Sequence, residues 1–399
     1  MTSLHKEIGR ILSVILLLTA CHAGQSQKAS RLHAKSLLVD THNDFPSASI
    51  EKKLPFDKDL GGQAHSDLGR MLRGGVDLQV FSIFCGPEQQ QPYAWANREI
   101  DSVEAWVARN PDRMKWVRRS EDLRRSLRSG SLGTMLGVEG GHMIEDDLSK
   151  LEAFYRRGVR YLTLTWNNST SWASSALDET TRKDSVASLG LNGFGRKVVQ
   201  RMNELGMIVD VSHNGERTFW DALQQTRKPV IASHSSVYNL CPHRRNLKDD
   251  QILAIAANGG VIHLNFYAGF LDSTYERRAG LLLGREQKKI DSLVAAGMQP
   301  DYARIHVAEG LRKELDAVRP GMDILLDHLD YIVRLVGVDH VGLGSDFDGI
   351  EAPPRGLEGV EDFPKITAAL KSRGYSKKEI RKILGGNFLR VLRANERPL

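Results

Sequence analysis

The sequence predicts an α/β fold: a (β/α)8 barrel of TIM type, with a long helical insertion before the last strand. Three observations carry that prediction. Eight short apolar, β-branched runs recur along the 399 residues. Helical patterns separate most of them, and such strand–helix alternation means a parallel sheet. Polar residues gather just past the ends of many different runs, where barrel enzymes keep their chemistry. An open doubly wound sheet for a dinucleotide lacks its signature, since no G-x-G-x-x-G follows the first run.

In order, the predicted strands are residues 36–39, 76–84, 134–138, 159–165, 207–211, 230–233, 260–266 and 340–344. Helical periodicity fills residues 98–110, 148–157, 194–205, 219–225, 249–258 and 322–336. Residues 51–64 and 271–320 exceed a plain strand-to-helix loop. The second stretch is rich in Arg, Lys, Glu and Leu and reads as extra helices, a lid or an oligomer contact. No Pro/Ser-rich linker interrupts residues 36–399, so they form one domain. Hydrophobic residues at 41% and charged residues at 26% exclude a disordered, collagenous or coiled-coil chain. The net charge of +6 is spread without a Lys/Arg block carrying interleaved aromatics, so no nucleic-acid partner is expected.

The N-terminus reads as a secretion signal, residues 1–20. Lys6 and Arg10 flank an apolar run, residues 11–18, broken only by Ser13. That run is far shorter than the roughly 20 residues of a spanning helix. Leu18-Thr19-Ala20-Cys21 resembles the bacterial lipobox. It implies cleavage before Cys21, a lipid on the Cys21 sulfur, and membrane attachment through that anchor. His22 in place of Asp points, by analogy, to the outer membrane facing the periplasm. Residues 21–35 then form a flexible tether. Cys85 and Cys241 remain. An oxidising compartment permits a disulfide between them, but two buried free thiols are the expected state.

The chemistry lies at the run ends. The first run continues into Asp40-Thr41-His42-Asn43-Asp44. The third ends in Glu139-Gly140-Gly141-His142, the fifth in Asp210-Val211-Ser212-His213, the sixth in Ser233-His234, and the eighth in Gly344-Ser345-Asp346-Phe347-Asp348-Gly349. His42 and Asp44, two apart, share one face of a strand, and at a barrel's C-terminal end that face looks into the mouth. Any single His near a strand end is more often a hydrogen-bonded structural residue. Five imidazole and carboxylate groups ending four of eight strands point instead to a metal site, and His, Asp and Glu suit catalytic zinc. Five ligands exceed the need of one catalytic zinc. Two ions sharing a carboxylate, about 3.5–4 Å apart with a bridging hydroxide as nucleophile, is the economical arrangement. His142 reads as support behind the ligands, His263 as core, and Asp348 as bonded within its own turn.

These residues resemble the membrane dipeptidases of the renal dipeptidase type, in the amidohydrolase barrel superfamily. The resemblance rests on DTHNDFP (40–46), GVEGGHMIEDDLSKLEAFYRRGVRYLTLTW (137–166), GLNGFGRKVVQRMNELGMIVDVSH (190–213), PVIASHSSVYNLCPHRRNLKDDQI (229–252) and HVGLGSDFDG (340–349). It covers most of residues 36–392 outside the 271–320 stretch. It implies a zinc-dependent dipeptidase with two Zn2+ per chain, acting on dipeptides with a free C-terminal carboxylate, and a homodimer as in relatives. His42 and Asp44 match the ligands of one zinc, Glu139 the bridging carboxylate, and His213 and His234 the ligands of the second. Arg245 matches the arginine that grips the substrate carboxylate. Asp346 matches the aspartate that handles protons near the scissile bond. One position departs: where the best-known members hold a histidine that contacts substrate and oxyanion, this chain has Trp166, whose indole donates one N–H and accepts nothing. Asn167 and Asn168 are alternative donors in the same loop. Two rival readings are a hydrolase of another carboxylate-bearing amide or lactam, and a non-catalytic metal-binding lipoprotein with Trp166 plugging the pocket.

Overall fold

Side-chain alternation along the strands builds a barrel with a filled lumen. The computed structural model describes residues 30–186 and 189–397; the predicted signal, Cys21 and most of the tether lie outside them. The strands among the described residues are β1 (Val39–Asn43), β2 (Leu78–Phe84), β3 (Met114–Trp116), β4 (Leu132–Glu139), β5 (Val159–Thr163), β6 (Ile208–Asp210), β7 (Ile231–Ala232), β8 (Val261–Leu264) and β9 (Val341–Leu343). Every pairing is parallel, in the order β1-β2-β4-β5-β6-β7-β8-β9. The ring closes through a bridge between Asn43 and Phe347, with Asp346 N donating to the His42 carbonyl at 3.0 Å. The short β3 pairs with β4 outside this ring.

Along β2, Leu78 and Val80 point into the lumen, while Phe81 and Ile83 face the helices. The lumen is packed by Val39, Met135, Tyr161, Ile208, Ile231 and Val261, and the C-terminal helix Asn387–Asn395 closes its floor with Phe388, Val391 and Leu392. The lumen is therefore solid core below, with His263 buried against Phe388, and the acids and other imidazoles gather at the mouth. Helices start and stop where local chemistry dictates. The helix Gly193–Leu205 opens at Asn192, whose side chain accepts from Phe194 N and Gly195 N, and stops at the left-handed Gly206.

The insertion is helical, as expected. Four helices, Tyr275–Leu283, Gln287–Ala295, Pro300–Gly310 and Arg312–Val318, pack around their own apolar cluster. No helix among the described residues is long and apolar enough to cross a membrane.

Two sequence expectations need correction. The first predicted run, 36–39, meets β1 only at Val39, because the strand continues through the polar Asp40-Thr41-His42-Asn43. Asp44 lies beyond the strand and begins the helix Phe45–Glu51. The register of β1 shifts between Asp40 and Asn43. That bulge puts both Val39 and His42, three residues apart, toward the lumen, which plain alternation does not allow.

Candidate active site

The five predicted ligands converge at the barrel mouth, all of them buried. Glu139, the last residue of β4, is central. Its Oε1 lies 2.9 Å from His213 Nε2 and 3.3 Å from His234 Nε2. Its Oε2 lies 3.3 Å from His42 Nε2 and accepts a 3.2 Å bond from the Ser82 hydroxyl. Asp44 Oδ2 stands 3.5 Å from His42 Nε2. His213 and Asp346 follow their strands in left-handed conformations, φ 63° and 60°, a strain that such sites hold at a cost of about 1–3 kcal/mol each. Gly349 packs so closely that a Cβ there would sit 2.2 Å from Asp44 Oδ2.

Each imidazole is oriented from behind. His42 Nδ1 is 2.8 Å from the Tyr161 hydroxyl, which itself donates to the Thr41 carbonyl at 3.1 Å. The Tyr161 ring lies over Gly137, where a Cβ would fall 2.0 Å from it. His234 Nδ1 is 2.8 Å from Ser233 Oγ, whose proton goes to Asp210 Oδ2 at 2.6 Å. His213 Nδ1 is 3.2 Å from Asn167 Oδ1. In this network every Nδ1 is a donor, so each ring, when neutral, presents its Nε2 lone pair.

Those lone pairs face other acceptors. His213 Nε2 lies 2.9 Å from His234 Nε2 as well as from Glu139 Oε1. His42 Nε2 and Asp44 Oδ1 are buried with no hydrogen-bond partner among the described residues. Burial alone would lower the pKa of His42, yet the charges of Glu139 and Asp44 raise it to about 10. The cluster therefore demands positive charge. Two groups have their ligand atoms close enough to share an ion: His42 with Glu139 and His234, and His42 with Asp44 and Asp346. Nitrogen and carboxylate donors with the other ring nitrogen committed are what a zinc-type cation requires.

The family profile described as membrane dipeptidase, peptidase family M19, matches residues 26–398. The chain belongs to this family. It is a dipeptidase of the metallopeptidase class, and the family's metal dependence agrees with the donor set above. An uncharacterized dipeptidase of Schizosaccharomyces pombe, C965.12, is 34% identical over 385 residues, covering 91% of this chain and 81% of that protein. Among solved structures, the probable dipeptidase PvdM of Pseudomonas aeruginosa aligns at 25% identity with a TM-score of 0.76, over 94% of this chain and 98% of that one. A metallo peptidase of Rhodobacter sphaeroides, liganded with a phosphinate mimic of the dipeptide L-Ala-D-Ala, shares the fold with a TM-score of 0.70 at 24% identity, over 90% of this chain and all of that one.

The remaining predicted residues of the dipeptidase line a cleft of about 350 Å³ above the ligands. Asp346 Oδ2 accepts from the Asn265 amide at 2.7 Å. Burial raises the Asp346 pKa, with the charge of Glu139 adding to it against the pull of His42. Arg245 is buried, donates through Nη2 to the His234 carbonyl at 3.2 Å, and lies over the Phe270 ring at 5.4 Å. Its Nε has no hydrogen-bond partner among the described residues. Trp166 does not plug the cleft. It forms one wall, tilted against Phe84 at 4.9 Å and His213 at 6.1 Å between ring centroids. The Asn167 oxygen is committed to His213, and Asn168 does not reach the cleft.

His142 was expected to support the ligands but hydrogen-bonds to none of them: its Nε2 lies 3.1 Å from the Cys85 carbonyl, while His263 is buried core as expected. Cys85 and Cys241 are free and buried. Asp348 bonds not to its own turn but to the His65 backbone N–H at 2.7 Å. Sequence reasoning missed Tyr161, Ser82 and Asn265, whose roles arise only across strands. Asp210 carried a signal, an acid at a strand end, but it bonds to Thr163, Ser212 and Ser233 and organises the mouth from below.

Proposed function

We propose that this dipeptidase is a two-zinc enzyme that hydrolyses dipeptides with a free C-terminal carboxylate. The observation that carries the reading is Glu139, whose two oxygens face different donor sets. His42 and Asp44 would hold one ion, His213 and His234 the other, and Glu139 both. Bound zinc would supply Lewis acidity at the scissile carbonyl and acidify water for attack at neutral pH.

The chain's own groups do the rest. Asp346, fixed by Asn265 and with a raised pKa, takes the proton of the attacking water and delivers it to the leaving amine. Arg245 keeps a buried, unpartnered Nε beside the cleft. A buried unpaired donor is costly, and a substrate carboxylate would satisfy it through a charge-assisted contact. The Phe270 ring holds the guanidinium plane in place for that contact.

The test compares dipeptides with their C-terminal amides. Arg245→Lys retains charge but loses the planar fork, so kcat/KM for free acids should fall about tenfold or more. Amides should be poor substrates for the wild type and lose little further in the variant. Equal cleavage of acids and amides by the wild type would refute the carboxylate reading. N-acyl amino acids assayed alongside separate a dipeptidase from a broader amidase.

We also infer a lipid anchor at Cys21, supported by the charged, apolar and lipobox-like residues that precede it. Metabolic labelling with a fatty-acid analogue should mark the wild type and not Cys21→Ser. Equal labelling of both would overturn this reading.

A further inference from the structure

The helix Pro300–Gly310 belongs to the insertion, yet it forms a wall of the catalytic cleft. Gln299, just before it, accepts from Gly86 N at 2.8 Å and donates to Glu51 at 2.9 Å. The buried Tyr302 donates to the carbonyl of Asp44 at 3.4 Å. Tyr302 and Ile305 pack with Phe84 and Trp166. In the strand order of the barrel, β2, which ends in Phe84, lies four strands from β7 in either direction. The wall therefore stands across the mouth from Arg245, which follows β7. With the substrate carboxylate on Arg245, this wall receives the N-terminal residue.

Asp301 sits in the first turn of that helix and opens into the cleft. Its carboxylate has no hydrogen bond or ion pair with any described residue, although most charged groups of this wall are paired. The charges that act most on it are Glu88, Glu351, Glu139 and a single cation, Arg304. Arg304 is already committed to Glu351 through Nε and Nη2, at 2.8 and 3.1 Å. The Asp301 side chain is exposed to the solvent of the cleft, yet the protein crowded around it, followed by the three acids, raises its pKa to about 6. An anion without a partner thus faces the place where the substrate's N-terminal residue lies, above an apolar surface of Phe84, Trp166 and Ile305.

We propose that Asp301 is a specificity residue that receives the cationic nitrogen of the substrate's N-terminal residue, while the apolar wall receives the rest of that residue. The inference rests on the dipeptidase reading of the cleft. The cation is an ammonium or guanidinium, from either the α-amine or a basic side chain. A dipeptide then spans the mouth with its negative end on Arg245 and its positive group on Asp301, and the catalytic centre lies between them.

Asp301→Asn keeps the shape and removes the charge. Substrates are lysyl-alanine, norleucyl-alanine and N-acetyl-norleucyl-alanine. If Asp301 reads a side-chain cation, the lysyl over norleucyl ratio of kcat/KM should fall about tenfold in the variant, the scale of a charge-assisted bond. If it reads the α-amine, the norleucyl over N-acetyl-norleucyl ratio should fall by that factor instead. Both ratios within about twofold of wild type, with only a lowered Tm, would overturn the proposal and leave Asp301 as an acid that steadies its helix through the dipole. Calorimetric binding of a dipeptide phosphinate, with and without an N-acetyl group, to the full metal-loaded protein gives the same comparison without turnover. A wild type that cleaves none of the substrates would count against the dipeptidase reading, while the calorimetry still decides the role of Asp301.

Discussion

The strand ends and the insertion face one cleft, but they are held by different means. At the strand ends the predicted ligands are buried, and four of the five are pinned from behind, His42 by Tyr161, His213 by Asn167, His234 by Ser233 and Asp210, and Glu139 by Ser82. Two of the positions even hold left-handed backbone, which the packed lumen below sustains. The insertion instead has a satellite core, with Tyr275, Ala279, Leu283 and Val307 packed among themselves. It reaches the mouth through few bonds, from Gln299, Tyr302 and Arg304. The contrast teaches that the chemical centre and the facing wall of the cleft are built separately. The wall can change without moving a ligand.

The sharpest way to break this contrast is a pair of matched Tyr→Phe changes. Tyr161→Phe leaves the ring over Gly137 but removes the acceptor of His42 Nδ1. Metal affinity should fall about 10–100-fold, the usual scale for a group that orients a ligand. Tyr302→Phe removes the insertion's bond to Asp44 and should leave metal affinity within about twofold, at a cost of roughly 1 kcal/mol in stability. Metal-buffer titration of both variants checks the pair. Equal losses in both would mean that the insertion and the ligands form one unit.

A smaller effect is expected at Trp166, where the two regions touch. Its indole N–H makes no hydrogen bond to any described residue, and its ring packs with Phe84 and the insertion. Trp166→Phe keeps most of that bulk, so kcat/KM should stay within a few-fold of wild type, while Trp166→Ala should broaden substrate range more than it slows turnover. A loss of about a hundredfold or more in Trp166→Phe, the scale of a missing oxyanion donor, would instead make the indole N–H catalytic.

The same division decided what the sequence disclosed. The β-branched runs each met a strand, and the helical patterns ended within a few residues of helices such as Leu148–Arg156 and Asp323–Val336. Strand β1 was displaced because its polar residues are satisfied inside the barrel. Thr41 donates to the Ser233 carbonyl, and Asp40 accepts from Ser345. Burial of that kind erases the apolar signal on which strand reading depends. The three-residue β3 is too short to leave one. The cluster of five predicted ligands was legible because acids and imidazoles are conspicuous at strand ends. Tyr161 and Asn265 were not, since both fell inside predicted strands, where a tyrosine reads as core and an asparagine gives no sign of the acid it bonds. Asp301 and Tyr302 were hidden for a further reason. They come to the mouth only because the insertion folds back from β8 onto β1 and β2, a path that no local pattern records.

The central claim is that Glu139 joins two metal positions. Metal content of the purified chain, measured per folded protein alongside Glu139→Ala, tests it most directly. The account predicts close to two zinc per chain in the wild type and loss of both metal and activity together in the variant. One zinc per chain, with a Glu139→Ala protein that still cleaves dipeptides, would contradict it.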